Sequence, residues 1–167
     1  AIVEAVQNSS TTAEIKVKEY LKMKGENVDE NSITFLSAKE DLEAGKAIFI
    51  KDGFCATCHG KDGSGTINGV PGVGPNLTDD YWIHGGSIKD IFKTVKYGWP
   101  EKGMKSWQED YSPVQIAQLA SFIKSLKGTK PAKPKEPQGP LYEENAAAPA
   151  AADSVKQAAD KKVTAAN

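Results

Sequence analysis

The chain has 167 residues, 39% hydrophobic and 26% charged, a length suited to one small domain with flanking segments. Its 21 Lys plus Arg against 22 Asp plus Glu leave a net charge of -1, so no global field favours nucleic acid, and no apolar run is long enough to span a membrane. Two cysteines are too few for a disulfide-dense scaffold, and every cation is lysine, so guanidinium clamps on phosphate or carboxylate are absent.

The chain divides into three stretches. Residues 1–38 are polar and read as a linker. They begin at Ala1, as expected of a processed chain or fragment whose signal or membrane anchor precedes it. Thr11 with Glu14 and a stop at Gly25 predict a short helix over 12–24, although the alternation Ile15-Lys16-Val17-Lys18 also fits a strand. Residues 39–128 hold both cysteines, both histidines and all three tryptophans. There Ser37 and Glu40 predict a capped helix over 41–51, with Leu42, Gly45 and Phe49 on one face. Ser87 and Asp90 predict another, running to Tyr97, with Ile88, Ile91, Phe92 and Val95 as its apolar side. Ser112-Pro113 opens a last helix carrying Ile116, Leu119, Ala120 and Ile123, closed by Gly128. Glycine-rich loops separate the helices, and the unit reads as all-α. Residues 129–167, Pro-rich and then Ala-rich, read as an extended or disordered tail.

Cys55-Ala56-Thr57-Cys58-His59 is C-x-x-C-H, the attachment signature of c-type haem. Thiols two residues apart reach both vinyl groups of one porphyrin, and the adjoining histidine then lies beneath the iron. Other chemistries compete for these residues. A redox C-x-x-C is expected beside a βαβ pattern, which this sequence lacks. A zinc site from Cys55, Cys58, His59 and His84 has four donors, but His59 adjoining Cys58 makes tetrahedral closure awkward. For the second axial position the sequence offers Met104, in a Gly- and Lys-rich loop, or His84, with an open position as the third option. Met104 is the expected ligand, because His/Met ligation raises the iron's potential and suits an electron carrier.

Gly45-x-x-x-Phe49, Cys55-x-x-Cys58-His59-Gly60, Gly74-Pro75-Asn76-Leu77, Met104 and a last helix with Leu119 and Phe122 together resemble the small His/Met cytochromes c. That resemblance implies that the first and last helices pack through Gly45 and Phe49. It also implies that the Pro75 carbonyl accepts a hydrogen bond from His59, and it places Leu77 at the haem pocket. More narrowly, Gly74 to Ser87 with its Trp82-Ile83-His84-Gly85-Gly86-Ser87 element, then Gly103-Met104 and Ser112-Pro113-x-Gln115-Ile116, is similar to the cytochrome c subunit of cbb(3)-type haem–copper oxidases. The resemblance covers residues 39–128. It implies one covalent haem c, a haem domain on the periplasmic side of a bacterial inner membrane, and attachment to that membrane through residues preceding the chain. Only one C-x-x-C-H is present, where many such subunits carry two, and Lys105 follows Met104 where proline is common. With no arginine for the haem propionates, Trp82, Tyr97, Trp99, Lys96 and Lys105 become the candidates.

The expected function is electron transfer, not catalysis, with respiratory redox proteins and above all a membrane haem–copper oxidase as partners. Residues 39–128 carry eleven Lys and eleven Asp plus Glu, a balance that favours a tethered or complexed donor over a charge-steered shuttle. The alternatives are a freestanding or lipid-anchored periplasmic cytochrome c, and a haem enzyme or sensor with an open sixth position.

Overall fold

The computed structural model describes residues 29–144. The helix expected over 12–24 and the Ala-rich end of the chain lie outside them. Four α-helices follow in order: α1 (Lys39–Phe49), α2 (Cys55–His59), α3 (Ile88–Tyr97) and α4 (Pro113–Ser125). Short 3-10 turns lie at Glu30–Ser32 and Pro100–Lys102. Between α2 and α3 the chain makes an antiparallel hairpin of β1 (Thr66–Ile67) and β2 (Val70–Pro71), a small departure from an all-helical reading. Its turn is Asn68-Gly69, both at positive φ (52° and 78°), the backbone that a two-residue hairpin of right-handed twist demands.

Two of the four helix starts, those of α3 and α4, follow local capping chemistry. Ser87 Oγ accepts from Asp90 N (3.0 Å) while Asp90 Oδ2 accepts from Ser87 N (3.3 Å), closing the box expected for α3. At α4 the Ser112 hydroxyl accepts from Gln115 N, Gln115 Oε1 accepts from Ser112 N (2.9 Å), and Pro113 takes the first helical position. At α1 the expected Ser37–Glu40 box does not form. Ala38 caps the helix without a side-chain bond, and α1 begins two residues earlier than predicted. Glu40 and Asp41 in its first turn favour that start through the helix dipole instead.

The core sits where α1 and α3 meet α4. Ile88, Ile91, Phe92 and Val95 of α3 are buried, as are Ile116, Leu119, Ala120 and Ile123 of α4. Phe49 packs on Phe122 with ring centroids 5.3 Å apart. At the crossing of α1 and α4, a Cβ on Gly45 would lie 2.1 Å from the Gln118 carbonyl oxygen, so only glycine permits this approach. Gln118 Nε2 also donates to Asp41 Oδ1 across the same junction (3.0 Å).

Packing extends beyond 39–128 on both sides. Ile33 is buried in the core, and Leu36 N donates to Ser121 Oγ of α4 at 3.0 Å. Glu30 pairs with Lys96 at 2.7 Å and accepts from the Tyr97 hydroxyl, tying the Glu30–Ser32 turn to the end of α3. Residues 129–144, expected to be extended or disordered, are bonded to the domain. They are extended but fixed: Trp82 N donates to Pro140 O (3.0 Å), Tyr142 N to Asp80 O (2.8 Å), and Lys124 pairs with Glu144 (2.6 Å).

Two outcomes follow from this packing. Gly45→Ala gains helix propensity worth about 1 kcal/mol but forces the two helix backbones apart. A net loss of about 1–3 kcal/mol is expected in denaturant unfolding, as for other overpacked sites. For Glu30, burial alone would raise the carboxyl, and the bonds from Lys96 and Tyr97 outweigh it, leaving it below its ordinary range. Its stabilisation is therefore complete at neutral pH and is lost as pH falls through that lowered value. Glu30→Gln should cost about 0.5–1 kcal/mol at pH 7 and nothing once Glu30 is itself protonated, read by thermal unfolding at both pH values.

Candidate functional site

α2 is a single turn of five residues, Cys55–His59, capped at neither end by a side chain. It persists because the loop after it supplies donors for its last carbonyls. Gly60 N donates to Ala56 O (2.9 Å), Gly74 N to Cys58 O (2.9 Å) and Gly65 N to His59 O (2.7 Å). Gly60 takes φ +77°, and a side chain there would also strike the Thr66 carbonyl oxygen at 2.4 Å. The hairpin and the 72–77 loop are thus folded back onto the turn that carries the chemistry.

On that turn Cys55 and Cys58 are both free thiols and half-buried. Burial pushes the Cys55 thiol up to about 11, so it is protonated at neutral pH. A reactive redox cysteine is ordinarily shifted the other way. His84 does not join these residues. It stacks on Trp99 with centroids 3.9 Å apart and planes 8° from parallel. Among the described residues no group of three or more His, Cys, Asp and Glu side chains is placed to hold a metal ion.

The His59 ring is fixed by two contacts. Nδ1 lies 3.0 Å from the Pro75 carbonyl oxygen, and because a carbonyl only accepts, that nitrogen carries the proton. Nε2 is left with its lone pair. Gly74 lies flat on the ring, where a Cβ would come within 2.6 Å of Nδ1 and 2.7 Å of Cε1. Burial is the main cause holding the imidazole below its ordinary proton affinity; the Pro75 bond opposes it and the Lys135 cation adds to it. A neutral imidazole with one nitrogen anchored and the other free is the form a metal takes up. Two thiols on the same turn and a cradle that only glycine fits make this donor set suited to a c-type haem.

The other expected pocket residues divide. Leu77 is buried in the core cluster, and Trp82 and Met104 are partly buried against it. Met104 is held by a two-bond bridge to Trp99: Trp99 N donates to Met104 O (2.8 Å) and Met104 N to Trp99 O (3.0 Å). Tyr97 is about half exposed, and its hydroxyl is committed to Glu30. Lys96 is likewise bound to Glu30, and Lys105 pairs with Asp110 at 2.9 Å. Sequence reasoning missed Lys135, whose ammonium donates to the carbonyls of Gly72 (2.9 Å) and Gly74 (3.2 Å) beside the His59 ring.

Residues 40–123, half of the chain, match the family model described as cytochrome c oxidase, cbb3-type, subunit III. The chain is 33% identical over 115 residues to the cbb3-type cytochrome c oxidase subunit CcoP of Rhodobacter capsulatus, covering 64% of this chain and 33% of that protein. It is 37% identical over 76 residues to the subunit FixPc of Rhizobium leguminosarum bv. viciae, covering 41% of this chain and 25% of that protein. The chain therefore spans a third or less of the length of these curated relatives. Among solved structures, cytochrome CL of Methylophaga aminisulfidivorans aligns with a TM-score of 0.50 at 24% identity, over 62% of this chain and 69% of that one. The reducing HAO-like protein complex of Kuenenia stuttgartiensis aligns at 0.52 and 21% identity, over 60% of this chain and 50% of that one. At these identities the two structures speak for a shared fold only.

Proposed function

Because the chain belongs to the family of cbb3-type cytochrome c oxidase subunit III, we propose that it is a single-electron carrier that holds one c-type haem covalently and delivers electrons to a membrane haem–copper oxidase. The observation that carries this reading is the His59 ring, tied to Pro75 through Nδ1 and free at Nε2, on the same turn as the free cysteines Cys55 and Cys58. Cys55 and Cys58 would hold the group through thioethers, each S–H adding across one vinyl group. His59 through Nε2 and Met104 through its sulfur would ligate the iron. When bound, the group supplies a one-electron iron couple. One C-x-x-C-H in the sequence accounts for one haem.

On this reading the fold is the small cytochrome c arrangement, and its functional unit is 39–128 braced by 29–38 and 129–144. The protein's work is to hold and orient rather than to transform a substrate. Leu77, Trp82 and Met104 share one apolar cluster, Trp99 is bridged to Met104, and Tyr97 braces the end of α3 against Glu30. Among the described residues no helix is long and apolar enough to cross a membrane. The unit is placed on the periplasmic side of a bacterial inner membrane, where thioether attachment takes place. Its balanced charge suits a donor held close to its acceptor, since proximity supplies the effective concentration that charge steering otherwise provides.

Three measurements test this. After maturation in a periplasm, the wild-type chain should retain haem on a denaturing gel. Cys55→Ser with Cys58→Ser should lose it entirely. In the ferric protein, Met104→Ala should abolish the weak far-red charge-transfer band of sulfur-ligated iron and His84→Ala should leave it in place. A band unchanged in Met104→Ala overturns the ligand assignment. Electron transfer to the oxidase should depend weakly on salt, and a steep fall with added salt would point instead to a free, charge-steered shuttle.

A further inference from the structure

We propose that Lys135 is a positioning residue for His59, clamping the loop that carries the Pro75 carbonyl and setting a fixed positive charge beside the imidazole that raises the reduction potential of an iron bound there. The inference rests on the haem reading above. It adds a residue from outside 40–123, the stretch matched by the family model.

Lys135 is held along its length. Its backbone N donates to Ser64 O (2.9 Å), and its carbonyl accepts from Asn76 Nδ2 (3.2 Å). Its ammonium donates to the carbonyls of Gly72 (2.9 Å) and Gly74 (3.2 Å). Room for the stem comes from Gly65, where a Cβ would lie 2.9 Å from Lys135 Cβ. Each loop residue it grips also touches the chemistry-bearing turn. Gly74 packs on the His59 ring and bonds Cys58 O, and its neighbour Pro75 accepts from His59. Gly72 N donates to Gly65 O (2.7 Å), and Gly65 N donates to His59 O (2.7 Å).

The hydrogen-bond partners of the ammonium among the described residues are carbonyl dipoles, not a carboxylate, so its charge is not cancelled by an ion pair. Such a charge, partly withdrawn from water, disfavours the more positive ferric state relative to the ferrous. A lysine on the exposed part of the same segment, such as Lys133, is solvated and should act far less strongly.

The test uses the full chain with its haem attached, and wild type must first show covalent haem and a low-spin spectrum. Failure at that step counts against the haem reading itself, not against Lys135 in particular. Lys135→Gln and Lys135→Met both remove the charge, so folded holoprotein of either suffices. In redox titration the neutral variant should shift the equilibrium toward the ferric form by about three- to tenfold, the scale of one partly screened charge. Lys135→Arg should restore it to within about twofold, and Lys133→Gln should move it by less than that. The Gly74 amide, bonded to Cys58 O, should exchange faster with solvent in the neutral variants than in wild type. A neutral variant with lowered thermal stability but unchanged potential and unchanged Gly74 exchange would make Lys135 a structural strap residue only and overturn the proposal.

Discussion

The bond from His59 Nδ1 to the Pro75 carbonyl ties the orientation of one imidazole to the shape of a loop sixteen residues further along the chain. An imidazole on a one-turn helix would otherwise rotate freely about its side-chain torsions. Here the partner oxygen chooses both the ring plane and the tautomer, and Gly74 closes the ring's face. That arrangement needs the loop to be held in turn. Its amide at 74 reaches back to Cys58 O, its carbonyls at 72 and 74 receive Lys135, and Asn76 caps Thr78 through its own side chain (2.8 Å to Thr78 N). The site is therefore built from backbone donors and acceptors brought together by glycines, more than from a cluster of charged side chains.

The helices contribute a frame. α1 and α4 cross at a contact that admits no side chain on Gly45, and α3 lays its apolar face against the same helix. Their packing is local to the core, and α2 shares little of it beyond Ala56 and Cys55. A five-residue helix has almost no intrinsic stability. It stands because its last carbonyls are spent on the returning loop, so helix and loop form one hydrogen-bonded unit.

Much of this was legible in the residues. Ser87 with Asp90, and Ser112-Pro113 with Gln115, announced their helices because capping chemistry is local. The spacing of Cys55, Cys58 and His59 placed two thiols and one imidazole close together, and the structure has them on a single turn. Where the reading departed from the fold, competing or distant interactions decided. Ser37 lost the first cap to Ala38, since a helix with Glu40 and Asp41 in its first turn has a second way to satisfy its N-terminus. Asn68-Gly69 carried a plain hairpin signal that the flanking glycines obscured. The C-terminal segment was misjudged for a different reason. Proline-rich composition describes an extended backbone, and it is silent on whether that backbone has partners. Leu141 and Tyr142 were the residues in it that a solvated tail has no use for, and Leu141 pairs with Tyr81.

The segment that grips the histidine loop lies far downstream of it: Thr66 bonds Lys133 across 67 residues, and Lys135 reaches Gly72 and Gly74 across 63 and 61. Contacts of such separation carry a loop-closure cost and form late. In a chain that emerges N-terminus first, the cysteines and histidine are exposed well before the residues that brace them. On the proposed haem reading, the turn would be open while its thioethers form and tightened afterwards, with the C-terminal strap acting as a closing stitch rather than as part of the receiving surface.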